Sequence, residues 1–340
     1  MAALNRPQPT TEVRPPRAGE GTQIARLWRE LWDAHEAWGG YPGSKEEDAY
    51  TQVAARIDAD ATLRRGRAQL GRHIHLVATS NGVVSGQVEG WMDRFGVAPH
   101  TPTVCEVRSL IVGSTTRTFG VGRALLGGLA DASRAIAGGP VALAAEVLEP
   151  NPAHTFYERV GYRPVAWSVR VSTEGAPWPR LARFAGPKEA LAVLLLYAGL
   201  LARRRTVDDP RFDPPRAVDA SALDAIASYL TRPPGELPAE IVATDENGYV
   251  RASATLIVMH LDPPFISGAR SALCRVAVYP AVAPEPFLRT LIDLGAHVAR
   301  RHGARTLEVT DLSPPGTPLH ETAMSKGGVA WSRIVVRLVP

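Results

Sequence analysis

Apolar side chains first recur at helical spacing at Ile24, Leu27, Trp28, Leu31, Trp32 and His35, predicting an amphipathic helix that stops near Gly39-Gly40. A polar stretch from Tyr41 to Asp48 leads into a second helix through about Leu70. The period then changes to two. His73 to Thr79 and Val83 to Met92 flank Asn81-Gly82, the strongest short-range hairpin signal a sequence offers. Beyond it the pattern predicts a strand over Val104–Val112, a helix over Gly120–Ala137 and a strand over Val141–Leu148. A short helix over Asn151–Val160 and a strand over Tyr162–Val171 complete the set.

From Ser172 to Pro215 prolines and charges flank one apolar helix, Lys188 to Leu201, and this reads as a linker with an embedded helix. The element order then returns. A helix spans Ala220–Leu230, a hairpin runs from Glu240 to His260 around Asn247-Gly248, and a strand covers Ala272–Val278. A helix over Phe287–Arg301, a strand over Thr306–Val309, a weak helix from Leu319 and a strand over Ala330–Leu338 follow. A second Asn-Gly hairpin at the matching place indicates an internal duplication. The expected organisation is a tail over residues 1–12, a first domain over 13–172, a linker over 173–214 and a second domain over 215–340. The fold class is α/β, an α+β mixed sheet in each half.

The chain's 340 residues suit two such domains, and 45% hydrophobic with 21% charged residues is enough to give each its own core. The longest apolar run, Ala190 to Ala202, is too short to span a bilayer. Met1 to Arg17 is proline-rich and polar, without a signal-peptide pattern, so a cytoplasmic protein with no membrane partner is expected. The net charge of +4 is scattered, with only Arg203 to Arg205 forming a run, which argues against nucleic-acid binding. Cys105 and Cys274 lie far apart inside apolar runs and supply neither a disulfide framework nor a metal site.

The chemistry concentrates in two motifs. After the strand at 104–112 comes Arg117-Thr118-Phe119-Gly120-Val121-Gly122-Arg123, opening a helix. The first amides of a helix lack intrahelical acceptors, and the helix dipole adds positive charge there, so this is an anion site. Glycines at 120 and 122 let backbone amides close on a pyrophosphate without a Cβ in the way. The second motif is Asn151-Pro-Ala-His-Thr-Phe156-Tyr157-Glu-Arg-Val-Gly161-Tyr162.

Together with the hairpin and the element order, these motifs resemble the GNAT acetyltransferase superfamily over roughly residues 13 to 171. The resemblance implies two tandem GNAT-like domains, the second a degenerate copy, and an N-acetyltransferase using acetyl-CoA as acyl donor. By the same resemblance Ile111 and Val112 contact the pantetheine arm, residues 117 to 123 surround the phosphates and Asn151 joins the cofactor site. The spacing departs from the usual pattern in that Ala153 stands two residues after Asn151 rather than three. Tyr157 is implied as the general acid over the thioester sulfur. A phenol near pKa 10 protonating a thiolate near 8.5 is uphill by about 2 kcal/mol, so it would act by hydrogen-bond donation as charge develops.

Glu106, eleven residues before Arg117, matches a catalytic glutamate of several family members. Strand parity would place it on one face with Arg108, Leu110 and Val112. Glu89 and Asp93 on the neighbouring strand are the reserve bases. Acceptor specificity is expected from the first helices and the hairpin, with Trp32, Glu36, Tyr41, Glu89 and Asp93 as contacts. Acidic groups beside aromatic walls suit a small cationic amine of the aminoglycoside or amino-sugar kind. A protein or peptide acceptor, and a non-catalytic acyl-CoA-binding protein, are the alternatives.

In the second copy Pro280, Pro284 and Pro286 stand where the first offers amide donors, and aligning Gly327 with Gly161 puts Ala323 at the acid position. That half is expected to bind no coenzyme. It would instead buttress the first, complete its acceptor pocket or mediate a homodimer.

Overall fold

The computed structural model describes residues 11–40, 47–94, 103–117, 120–206, 209–211, 220–233, 236–260 and 269–340. The first half runs β1 (Thr11–Arg14), α1 (Gly21–Ala37), α2 (Glu47–Arg64), β2 (Gln69–Leu70), β3 (His73–Ser80), β4 (Val83–Arg94) and β5 (Thr103–Val112). It continues with α3 (Val121–Ala137), β6 (Val141–Leu148), α4 (His154–Arg159) and β7 (Arg163–Ser172). The second half holds β8 (Ala182–Phe184), α5 (Ala190–Thr206), α6 (Ala220–Tyr229), β9 (Ala239–Thr244), β10 (Val250–His260) and β11 (Ala269–Val278). It closes with α7 (Pro284–Arg301), β12 (Thr306–Leu312), α8 (Pro318–Ser325) and β13 (Val329–Val339).

Three expectations shift. The chain is already in strand at Thr11, which pairs with Ser80, so the first half begins inside the segment expected as tail. The second helix stops at Arg64, and Gln69–Leu70 is a short strand on β3. The segment expected as a linker carries β8, which pairs with β9 as β1 pairs with β3, and α5, whose Leu196, Tyr197 and Leu200 pack with Ala277 of β11. Proline and charge density hid a strand of three residues, too short to show a period.

All thirteen strands form one mixed sheet, with β2 on β3 beside the path β1-β3-β4-β5-β6-β13-β7-β12-β11-β10-β9-β8. The last strands of the two halves are exchanged. β13 lies antiparallel between β6 and β7, and β7 lies antiparallel between β13 and β12. Side-chain alternation gives the sheet two faces. α3 and α4 cover one face of the first half through Leu125, Leu129 and Tyr157, and α7 covers the same face of the second through Leu288, Leu291 and Ile292. α1 and α2 cover the opposite face of the first half, α5 and α6 that of the second.

Candidate active site

β5 pairs in parallel with β6 only from Thr103↔Val141 to Val107↔Ala145, after which the two strands separate. Gly113 N–H donates to Ser85 O at 2.9 Å, tying the end of β5 to β4. By the alternation of an antiparallel pair, the amides of Leu110 and Val112 then point into the opening and that of Ile111 back toward β4. The Ile111 side chain is buried under α1, whereas Val112 lies on the α3 side. The expected strand parity fails for a local reason. Glu89 pairs with Ser109 but Gly90 pairs with Val107, so Arg108 is a bulge residue. Leu110 and Val112 therefore pack toward α3, while Glu106 lines a cavity on the α1 face.

At the open end of the strand gap, Gly120 caps α3 with φ +77°, a conformation that favours glycine, and a Cβ there would meet only open space. Gly122 serves differently from the expectation. A Cβ on it would lie 3.1 Å from the Phe156 ring, so its bareness also makes room for α4. Arg117 and Arg123 are exposed, and Arg117 Nε donates to Val112 O at 3.4 Å, across the end of the gap. Asn151 Oδ1 accepts from Ala153 N–H at 2.9 Å, so this side chain shapes the turn into α4. Thr118, Phe119 and Tyr41 lie outside the described residues, as does the Asp93 side chain.

Tyr157 sits on α4 at the α3 face, 7% exposed, with ring centroids 5.5 Å from Phe156 and 5.2 Å from Tyr162 in edge contacts. Burial raises its phenol above the ordinary value, so it stays protonated through the physiological range. On the opposite face Glu106 pairs with Arg108 at 2.9 Å. Glu89 is the end of a chain that sequence patterning missed. Ser109 Oγ donates to Glu89 at 3.3 Å, Gln87 Nε2 donates to Ser109 at 3.1 Å, and Gln87 Oε1 meets His75 Nε2 at 2.8 Å. His73 and His75 each stand 3.8 Å from Glu89, and the buried Arg64 holds His73 Nδ1 at 2.7 Å. Burial raises the Glu89 carboxyl and lowers both imidazoles, His75 to about 4. The alternation of His73, His75, Gln87 and Glu89 on paired strands was the available signal.

Among the described residues, the tryptophans expected to wall the acceptor site pack with the core beneath α1. Trp32 is 7% exposed in the core under α1, with Trp28 stacked on it at 5.3 Å, because helical spacing that fits a pocket also fits a core. Glu36 is exposed on α1. On the α1 face a cavity of about 660 Å³ runs from Glu106 past Glu146 and Ser168 to Tyr229 and Glu240. Beneath it, Glu308 is fully buried between Arg170 (2.8 Å) and Arg270 (2.7 Å), and Arg270 reaches Glu146 at 3.2 Å. Arg170 also donates to Gly39 O at 3.0 Å, tying the end of α1 to strands of both halves. None of the described residues forms a metal-binding group.

A parallel strand pair that separates beyond Val107 thus meets a helix capped by a left-handed glycine. The acetyltransferase (GNAT) family profile matches residues 25–162, and the first half belongs to that family. A GCN5-related N-acetyltransferase from Sphaerobacter thermophilus aligns over 97% of this chain and 95% of its own, at 17% identity and TM-score 0.59. A GCN5-related glucosamine N-acetyltransferase region of a fungal multi-domain GH3 β-N-acetylglucosaminidase aligns over 99% of this chain and 39% of that one, at 16% identity and TM-score 0.53. No curated protein matches the sequence. The likeness in fold extends over both halves, so the chain holds two GNAT-like copies in one sheet, the first of them the acetyltransferase-family domain. No described helix is long and apolar enough to cross a membrane.

Proposed function

We propose that the first half transfers an acetyl group from acetyl-CoA to the primary amine of a small cationic molecule, of the amino-sugar or aminoglycoside kind, in a direct ternary complex. The observation that carries this reading is the strand gap beyond Val107↔Ala145 meeting the left-handed Gly120 at the start of α3. The free first-turn amides of α3 hold the diphosphate, with Arg117 and Arg123 beside it. The amides of Leu110 and Val112 bind the pantetheine arm, and the thioester comes to rest near Tyr157. The amine approaches from the α1 face. Its nitrogen forms the bond to the acetyl carbon, the carbon–sulfur bond breaks, and the Tyr157 hydroxyl donates to the departing thiolate.

The proton leaving nitrogen is assigned to Glu89 rather than Glu106. Glu106 is occupied in an ion pair with Arg108 at 2.9 Å. Glu89 is more basic through burial and is wired to Ser109, Gln87 and His75. Glu106, whose strand partner Trp91 lies two residues along β4 from Glu89, then orients the ammonium before transfer. Carboxylates and serines along the cavity floor suit a hydroxylated, cationic acceptor.

The test is acetyl-CoA with a panel of aminoglycosides, amino sugars, polyamines and N-terminal peptides, read by thiol release. Turnover with the first two classes is expected. Tight acetyl-CoA binding without thiol release for any amine would leave a non-catalytic binder. A second reading, a peptide acceptor, is favoured by one feature, the length of the cavity across the strands, and turnover confined to peptides would select it.

A further inference from the structure

The second half lacks the donor machinery and keeps an acceptor-side cavity. Pro284 opens α7 and Ala323 occupies the position matching Tyr157, yet most of the cavity wall comes from this half, from α5, α6, β9, β10 and β11. Its volume of about 660 Å³ is that of a small-molecule site. The bulge is kept as well. Thr255 pairs with Cys274 and Ser253 with Ala277, which sets Arg275 out of the β11 ladder as Arg108 is set out of β5. Arg275 and Asp311 both have φ +57° and both line the cavity. Non-glycine residues in that conformation cluster where a site needs its side chains aimed.

The charges of the wall sort themselves. Glu106 is held by Arg108 at 2.9 Å, Glu146 by Arg270 at 3.2 Å and Asp311 by Arg211 at 3.2 Å. Two ionisable groups of opposite sign remain outside any ion pair among the described residues. Glu240 accepts from the Thr255 hydroxyl at 2.9 Å, and Arg275 lies 5.7 Å from the centre of the Tyr197 ring. Glu240 pairs with Thr255 and Thr255 with Cys274 across β9, β10 and β11, so Arg275 stands beside the row that carries Glu240, whose carboxyl burial lifts to about 7. Tyr197, Tyr229 and Ile226 supply apolar surface next to them.

We propose that the second half is a receptor for a free amino acid with an apolar or aromatic side chain, its ammonium on Glu240 and its carboxylate on Arg275. One unpaired acid and one unpaired base beside an apolar wall match a zwitterion and neither a simple cation nor a simple anion. Because this half lacks the donor turn, the ligand is held and not acetylated. The ligand would share this cavity with the acceptor proposed for the first half, but it is argued from Glu240 and Arg275 and not from Glu89 or Glu106.

The experiment is calorimetric titration of the full chain, without acetyl-CoA, using L-phenylalanine and L-leucine, with phenethylamine and 3-phenylpropanoate as the single-charge controls. Saturable binding of an amino acid is expected, with both controls at least tenfold weaker. Glu240→Gln and Arg275→Gln should each weaken it at least tenfold. Ile226→Trp, which fills the cavity and leaves both charges in place, should abolish it. The titratable and charged groups around Glu240 are Arg275, Tyr197 and Tyr229 along the cavity and Arg232 and Glu236 on its other side. With these, an ammonium arriving at pH 7 should release roughly half a proton, seen by comparing buffers of different ionisation enthalpy. Phenethylamine binding as tightly as phenylalanine, binding unaffected by Glu240→Gln, or no binding by either amino acid would overturn the proposal. Acetyl transfer is assayed separately, so loss of one result leaves the other standing.

Discussion

Replacing Tyr157 by phenylalanine removes one oxygen and leaves the ring in its place. The edge contacts to Phe156 at 5.5 Å and Tyr162 at 5.2 Å are made by ring atoms, so the fold and acetyl-CoA binding should be retained. Turnover is another matter. Burial raises the phenol above its ordinary value near 10, so full protonation of a thiolate near 8.5 is uphill by more than about 2 kcal/mol. On the proposed mechanism the hydroxyl therefore acts as a hydrogen-bond donor to charge that appears only in the transition state. Loss of one such donor costs about 3 kcal/mol, or roughly a hundredfold in kcat. Thiol release at saturating acetyl-CoA gives kcat, and calorimetry gives the coenzyme affinity. A kcat within threefold of the parent would refute the assignment. An equal loss in kcat and coenzyme affinity would make Tyr157 a packing residue of the donor site.

Three further outcomes follow from the same geometry. Gly120→Ala forces a side chain into the left-handed conformation, at about 1–2 kcal/mol, and should weaken acetyl-CoA about tenfold by calorimetry; unchanged affinity would remove the α3 turn from the donor site. Glu89 must be ionised to accept a proton, and its carboxyl is raised by burial, so activity should fall as pH drops through that raised pKa. Glu89→Gln should abolish this acidic limb while Glu106→Gln chiefly raises KM, and a limb surviving Glu89→Gln would return the base to Glu106. His75 is buried neutral at about 4 against an unfolded value near 6.5. The unfolded chain then binds more protons between those values, so about 3 kcal/mol of stability present above pH 6.5 is lost as pH falls toward 4. Denaturant melts of the parent and His75→Gln test it, and equal slopes in that window would contradict it.

Much of the local structure of the first half was legible in the chain. The run from Arg117 to Arg123, the Tyr157 motif and two Asn-Gly hairpins are local patterns, and local patterns follow from which neighbours a backbone can hydrogen-bond. The face assignment around Glu106 was not legible, because one bulge residue, Arg108, inverts parity and a bulge leaves no periodic trace. The tryptophans at 28 and 32 misled for the converse reason, since an apolar helical stripe is the same string of letters whether it lines a pocket or a core.

The sequence alone determined the family and the repeated element order, both set by residues close together in the chain. Tertiary structure alone decided that β7 and β13 change places, so that two copies share one sheet, and that Glu106, Glu240 and Arg275 open on one cavity. Residues 106 and 240 meet that cavity only because strand pairing, a long-range choice among many apolar segments of like pattern, put them on the same face.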